Sequence, residues 1–170
     1  LFSGGSNADI PKQIAAPVAF DSLPDWRSSL QPTTKPSWVQ GADPGGWQKS
    51  SVVVDGRNLN VWLDPTFGAS GQIAHAQPTV IKALLDIARR TEGLTDITVT
   101  TTYRPGQILV EPREWHSTGE FIDISYLNSD VMYNNNGKNS EPAIFGTFYD
   151  AYMSTTSANK IQFLSPWKNE

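Results

Sequence analysis

The side chains with the clearest chemical potential lie between residues 103 and 123. Tyr103 and Arg104 end a stretch of alternating residues, and His116 and Asp123 follow after an intervening segment. Imidazole nitrogen and carboxylate oxygen both ligate zinc, at about 2.0–2.2 Å. Arginine binds a carboxylate through two parallel hydrogen bonds. A cation beside an arginine therefore suggests hydrolysis of a peptide that has a free or nearby carboxylate.

These residues resemble the motifs of the zinc D-Ala-D-Ala peptidase family, which includes bacterial carboxypeptidases, phage endolysins and cell-wall peptidase modules of phage tail proteins. Tyr103-Arg104-Pro105-Gly106 matches the family's Tyr-Arg at a strand end, in the R-P-G form of phage-type members. His116, Gly119 and Asp123 match the spacing of S-x-H-x-x-G-x-A-x-D. The resemblance implies that His116 and Asp123 hold a zinc that activates water, and that Tyr103 and Arg104 contact a peptidoglycan or wall-peptide substrate.

The chain departs from the family pattern at the positions that would complete the site. Glu114 stands in place of the leading Ser, and Phe121 in place of the small residue before the Asp. The segment 165–168 aligns with the family's E-P-W-H, so Ser165 replaces the catalytic Glu and Lys168 replaces the third zinc ligand. A protonated lysine cannot ligate zinc, and deprotonating it beside a metal is costly. The catalytic residues and the third ligand are therefore not identified.

Four interpretations of this incomplete site stay open. The domain is a degenerate peptidase that binds wall peptides or serves only as a scaffold, or His75 supplies the missing ligand. Alternatively, Glu111, Glu114 or Glu120 completes the site, although strand alternation is expected to point Glu120 away from Asp123. In the fourth interpretation, the chain is cut before the missing residues.

Other catalytic templates are absent from the sequence, which contains no G-x-S-x-G, G-x-x-x-x-G-K-[ST], H-E-x-x-H or G-x-G-x-x-G. A carboxylate pair for glycoside hydrolysis is an alternative among Glu111, Glu114, Glu120 and Asp123, but no spacing rule selects a pair. Arg104 also has a purely structural alternative, an ion pair with Glu111 or Glu114.

Two helices and several strands are expected to position these residues. Apolar residues at helical spacing predict a helix over 78–90, with Pro78 in its first turn and Gly93 after its end. A second helix is predicted over 142–154. The predicted strands, in chain order, are 52–54 and 58–63 joined by an Asp55-Gly56 turn, then 97–103, 121–126 and 161–164. Residues 65–77 and 128–140 are expected to be loops.

The predicted fold class is α+β, with a small antiparallel sheet and two main helices, like the zinc D,D-peptidase core that the motifs imply. In the strand over 121–126, alternation places Ile122, Ile124 and Tyr126 on one face. Asp123 is therefore expected on the opposite face, where it is available as a ligand.

The first 50 residues are expected to form an irregular arm, followed by the peptidase-like domain over 51–170. The arm holds six of the twelve Pro and five of the thirteen Gly, which disfavour helix and sheet. It also contains Trp26, Trp38 and Trp47, and a disordered linker rarely carries three Trp. We therefore expect the arm to lie on the domain through these aromatic side chains, and regular structure to begin near Ser51.

Composition restricts the classes of function and partner. The 170 residues carry a net charge of −4, which argues against a general nucleic-acid binder. The absence of Cys excludes disulfides, thiol catalysis and Cys-ligated metals, and two His are too few for an all-His metal site. No apolar stretch approaches the length of a membrane span, and the N-terminus lacks the features of a signal peptide or an initiator Met, which suggests a trimmed chain.

The resemblance and composition together predict a peptidoglycan-directed peptidase-like domain, extracellular, periplasmic or virion-associated. If the domain is an enzyme, it is a zinc-dependent peptidoglycan peptidase. The alternative is a non-catalytic structural or binding domain of a virion or envelope complex that reuses the peptidase fold and binds other proteins there.

Overall fold

The computed structural model describes residues 16–66, 69–101, 120, 122–133, 139–155, 163, 165 and 167. The strands in this part of the chain are β1 (Leu30–Pro32), β2 (Gln48–Val54), β3 (Arg57–Leu63), β4 (Asp96–Thr101), β5 (Asp123–Leu127) and β6 (Asp130–Val131). The α-helices are α1 (Ala69–Gln72), α2 (Pro78–Arg89) and α3 (Ala143–Ser154), and short 3-10 helices span Phe20–Ser22, Trp26–Ser29 and Ile73–His75.

The six strands form one sheet in the order β1-β2-β3-β4-β5-β6. Every neighbouring pair is antiparallel except β3 and β4, which run parallel. The α+β class is confirmed, and the sheet is mostly antiparallel as expected, with one parallel pair that the sequence analysis did not predict. This pair is parallel because α2 lies between β3 and β4 in the chain, and a helical crossover returns the chain in the same direction.

The β2–β3 hairpin is confirmed with the turn that its residues predict. Asp55 and Gly56 have φ of 49° and 76°, so both central residues have the positive φ of a type I′ turn. The hairpin places Leu59, Val61 and Leu63 on the face of the sheet that packs against the core. We call this the inner face, and the opposite one the outer face.

Helix α2 packs into the core through the face that its apolar spacing predicts. Pro78 occupies its first turn, and Gly93 beyond its end has a φ of 80°. The predicted face is buried at Val80, Ile81, Leu84, Leu85, Ile87 and Ala88. Arg57 at the start of β3 donates to carbonyl oxygens at and just beyond the end of the helix, those of Ala88, Arg89, Thr91 and Leu94.

The N-terminal arm joins the fold through tryptophan, as expected, but it also contributes regular structure. Trp26 is 0% exposed, and its Nε1 donates to the Ile81 carbonyl oxygen at 2.9 Å. Regular structure begins before Ser51, since β1 starts at Leu30 and β2 at Gln48. An edge strand tolerates Pro32, because the strand has a neighbour on one side only. The proposed domain boundary at residue 50 stays a prediction.

The remaining elements match the expectations with shifted ends. Helix α3 confirms the prediction over 142–154, and α1, the 3-10 helix Ile73–His75 and β6 lie within segments expected to be loops. The strand expected over 97–103 is described only to Thr101. The final strand expected over 161–164 lies outside the described residues apart from Phe163, which belongs to no strand.

Candidate functional site

In the sequence, the Tyr-Arg motif follows the end of β4, and the motif from His116 to Asp123 ends at the start of β5. Thr101, the last residue of β4, is the register partner of Asp123, the first residue of β5. The end of β4 and the start of β5 therefore lie side by side in the sheet. Tyr103, Arg104 and His116 belong to the segment between these strands and lie outside the described residues.

Asp123 lies on the outer face, as strand alternation predicts. Its side chain is exposed, whereas Ile122 and Ile124 on either side are half-buried and pack against the core. The Thr100 hydroxyl donates to the Asp123 carbonyl oxygen at 3.4 Å, which links the two strands at this point. Asp123, which ends the H-x-x-G-x-x-x-D motif, therefore lies beside the end of β4. The Tyr103-Arg104 motif follows that strand end in the sequence.

Tyr126 does not share a face with Ile124, contrary to the prediction from alternation. Val99 pairs with Ile124 and the preceding Thr98 pairs with Tyr126, so β5 has one extra residue, Ser125, between the two pairs. Such a bulge reverses the side-chain alternation of the strand. Tyr126 consequently lies on the outer face opposite Thr98.

Asp64 is the residue at this end of the sheet that the sequence analysis missed. It directly follows β3, its N–H donates to the Val99 carbonyl oxygen at 2.9 Å, and its side chain alternates with the inner-face Leu63. Asp64 is only 7% exposed, and its Oδ1 accepts the Thr66 N–H at 2.8 Å. A carboxylate between a predicted strand and Pro65 was the available sequence signal, but it is equally typical of a turn.

Tyr126, Tyr133 and Asp64 interact on the outer face, and we call these three residues the outer-face cluster. Burial raises the pKa of Tyr126 above its ordinary value of 10.0, and the charge and hydrogen bond of Tyr133 and the charge of Asp64 raise it further. The Tyr126 phenol therefore stays neutral at physiological pH. Tyr133 is 49% exposed, so this side of the cluster is open to solvent.

A second aromatic group on the outer face has internal partners for its polar atoms. Trp38 and Trp62 pack edge to face with ring centroids 5.4 Å apart. Trp38 Nε1 donates to Thr98 Oγ1 at 3.2 Å, and Trp62 Nε1 donates to Asp96 at 2.9 Å. Lys49 Nζ lies 4.8 Å from the centroid of the Trp62 ring. These contacts attach the arm to the sheet and indicate a structural role.

The described part of the C-terminal segment uses Ser165 locally. The Trp167 N–H donates to Ser165 Oγ at 3.0 Å, and the Trp167 ring packs edge to face on Phe145 of α3, with centroids 4.9 Å apart. The segment that the motif alignment compares with E-P-W-H is thus attached to α3 by its tryptophan. Lys168 lies outside the described residues.

The described residues give one zinc donor of the predicted set, the Asp123 carboxylate. Among them, no three His, Asp or Glu side chains come together as a metal site. His75 is exposed at the end of the 3-10 helix Ile73–His75, and Glu120 is exposed just before β5. The alternatives that use His75 or a Glu as the missing ligand therefore stay predictions.

Comparison with protein-family models, with curated proteins and with solved structures finds no match to this chain. Within the described residues, none of the helices has the length and apolar character needed to cross a membrane.

Proposed function

We propose that this chain is a peptidoglycan-directed peptidase-like domain, related to the zinc D,D-peptidases and extracellular, periplasmic or virion-associated. The observation that carries the proposal is the pairing of Thr101 with Asp123. The Tyr-Arg motif begins two residues after Thr101, and the H-x-x-G-x-x-x-D motif ends at Asp123. Their junctions with the sheet are therefore adjacent, as a shared site requires.

The proposed roles follow from the chemistry of the side chains. His116 and Asp123 hold zinc, which when bound supplies an activated water and a Lewis acid for the scissile carbonyl. Arg104 binds the carboxylate of the wall peptide through paired hydrogen bonds, and Tyr103 contacts the same substrate. The exposed position of Asp123 on the outer face supports this assignment, because a ligand to a catalytic metal must be accessible to substrate.

The second candidate is a non-catalytic binding or structural domain of a virion or envelope complex. It is favoured by Ser165, which stands at the position of the catalytic Glu and whose hydroxyl accepts the Trp167 N–H. A hydroxyl engaged in a local turn is a poor replacement for a general base. Lys168, at the position of the third ligand, favours the same candidate.

The two candidates are separated by measuring zinc and turnover on the same preparations. If the peptidase proposal holds, the untagged protein retains zinc and releases peptides from purified peptidoglycan, and His116→Ala abolishes both. His75→Ala distinguishes the interpretations of the third ligand, because His75 is the other histidine of the chain, and its loss lowers zinc retention only if it supplies that ligand. An unchanged rate in His116→Ala refutes the peptidase proposal, and no zinc with no turnover supports the binding domain.

A further inference from the structure

Part of the N-terminal arm lies along helix α2, and we call residues 16–22 the strap. Lys82, in the second turn of the helix, donates from Nζ to the Asp21 carbonyl oxygen at 2.7 Å. Arg89, at the end of the helix, donates to the Val18 carbonyl oxygen. The strap therefore runs antiparallel to α2 and reaches its C-terminal end.

Val18 is held at both of its main-chain polar groups, and we call the two residues that hold it, Asp55 and Arg89, the latch. The Val18 N–H donates to Asp55 Oδ1 at 3.0 Å, and the Val18 carbonyl oxygen accepts from Arg89 Nη1. The same Nη1 donates to Asp55 Oδ2 at 3.2 Å. Asp86 Oδ1 accepts from Arg89 Nη2 at 2.7 Å, so the orientation of the guanidinium does not depend on the strap.

The strap and the residues that follow it differ in burial. Within the strap, Val18 is 38% exposed and Phe20 is half-buried against the core. Leu23 and Trp26, which come after the strap, are 3% and 0% exposed. A segment with little buried apolar surface opens at a low free energy, whereas a segment buried in the core opens only when the whole fold unfolds. The strap is therefore expected to open more readily than the residues that follow it.

We propose that the strap opens and closes as a unit on the folded protein and forms an extensible connection to the residues that precede it. The latch holds one end of the strap, and the buried Leu23 fixes the other end. An open strap of residues 16–22 spans up to about 25 Å, at about 3.3–3.6 Å per residue.

The latch lies at the end of the sheet where β2 turns into β3. Because β3 and β4 run parallel, this end is opposite the junction of Thr101 with Asp123. Opening of the strap therefore takes place away from the candidate site.

The test is proteolysis of the full chain with chymotrypsin under native conditions, with the cut sites identified by mass spectrometry. Cleavage after Phe20 requires the strap to open, whereas cleavage after the buried Trp26 requires the core to unfold. Cleavage follows the population of the open state when opening and closing are fast. We therefore expect the initial rate of cleavage after Phe20 to exceed that after Trp26 by at least about a hundredfold.

A variant of the latch tests how the strap is held. Asp55→Gly removes the acceptor of the Val18 N–H and keeps the turn, because glycine readily adopts the positive φ of this position. We expect cleavage after Phe20 to become about fivefold faster, which is the effect of losing one hydrogen bond. Asp43→Gly is the matched control, because it removes two backbone hydrogen bonds from another part of the arm, and it leaves the rate unchanged.

A smaller ratio between the two cut sites overturns the inference, because the strap would then open only together with the core. An unchanged rate in Asp55→Gly, or an equal acceleration in Asp43→Gly, overturns it too, since the latch would not hold the strap. Because the two cut sites are compared on the unmodified protein, the test does not depend on a variant folding. Neither rate involves zinc or peptide release, so a failure of the proposed function leaves this inference standing.

Discussion

Replacement of Arg89 by Met is expected to destabilise the fold strongly, because it leaves a buried charge without its main partner. Arg89 Nε and Nη2 donate to Asp86 Oδ1 at 2.9 and 2.7 Å. The two side chains are 3% and 0% exposed. Arg89 also donates to Asp55 Oδ2 in the hairpin turn and to the Val18 carbonyl oxygen in the N-terminal arm. The same guanidinium therefore links both segments to α2.

The magnitude follows from the burial of this pair. Removing one partner of a buried ion pair costs about 3–5 kcal/mol in the free energy of unfolding. Arg90 Nε lies 3.5 Å from the same Asp86 oxygen and compensates in part, so we expect about 3 kcal/mol. For a chain of this size, that loss corresponds to a fall in Tm of about 6–12 °C.

Urea unfolding followed by tryptophan fluorescence measures the effect. Arg90→Met is the matched control, since its side chain is 39% exposed beside the same Asp86, and we expect it to cost less than about 1 kcal/mol. The double variant Asp86→Leu/Arg89→Met removes both charges and recovers most of the stability. Equal losses in Arg89→Met and Arg90→Met, or a double variant no more stable than Arg89→Met, would refute the reasoning.

Three further predictions concern stability and its pH dependence. Arg57→Met removes four hydrogen bonds to carbonyls around the end of α2 and is expected to cost about 2–4 kcal/mol in urea unfolding; a loss below about 1 kcal/mol contradicts this. Hydrogen bonding from the Arg27 side chain holds the pKa of Asp25 below its usual 3.8, so the ionised form stabilises the fold above that pH, and the contribution is lost as the pH falls through the lowered pKa. Because 44% of the Asp25 side chain is exposed, Asp25→Asn is expected to lower the free energy of unfolding by less than about 1 kcal/mol at neutral pH and not at all in strong acid. A stability difference between the variant and the unmodified protein that grows in acid would refute this. Because the pKa of Tyr126 is raised in the folded protein, its neutral phenol stabilises the fold below pH 10.0, and this contribution is lost as the pH rises through the raised pKa. Tyr126→Phe should therefore remove part of the loss of stability in alkali. Asp64→Asn should lower the pKa of Tyr126, measured by ultraviolet titration.

The elements that could be predicted from the sequence are those specified by local signals. Helix α2 follows from apolar residues at helical spacing between Pro78 and Gly93, and the β2–β3 hairpin follows from Asp55-Gly56. Both depend on residues close in sequence, so no knowledge of the tertiary structure is needed. The same holds for α3, whose aromatic residues recur at helical spacing.

The features that could not be predicted depend on pairing between distant segments. The parallel pairing of β3 with β4 is set by the path of α2 across the sheet. The bulge at Ser125 is visible only once Tyr126 is paired with Thr98, since alternation alone assumes a regular strand. Asp64 was missed for a related reason, because its burial comes from its place beside β4 in the assembled sheet.

The candidate site is predicted by motif spacing, and the structure adds the relation between the motif ends. The resemblance to the family motif assigned Asp123 to a zinc site, and the register places Asp123 opposite the last described residue of β4. That relation depends on the pairing of β4 with β5. The roles of His116 and Arg104 stay proposals.

The most direct test of the proposed zinc peptidase is the metal content of the untagged protein, purified without chelators and measured by elemental mass spectrometry. We expect about one zinc per chain, lost in His116→Ala and in Asp123→Asn. No zinc after zinc is added back, or zinc that persists in both His116→Ala and Asp123→Asn, would contradict it.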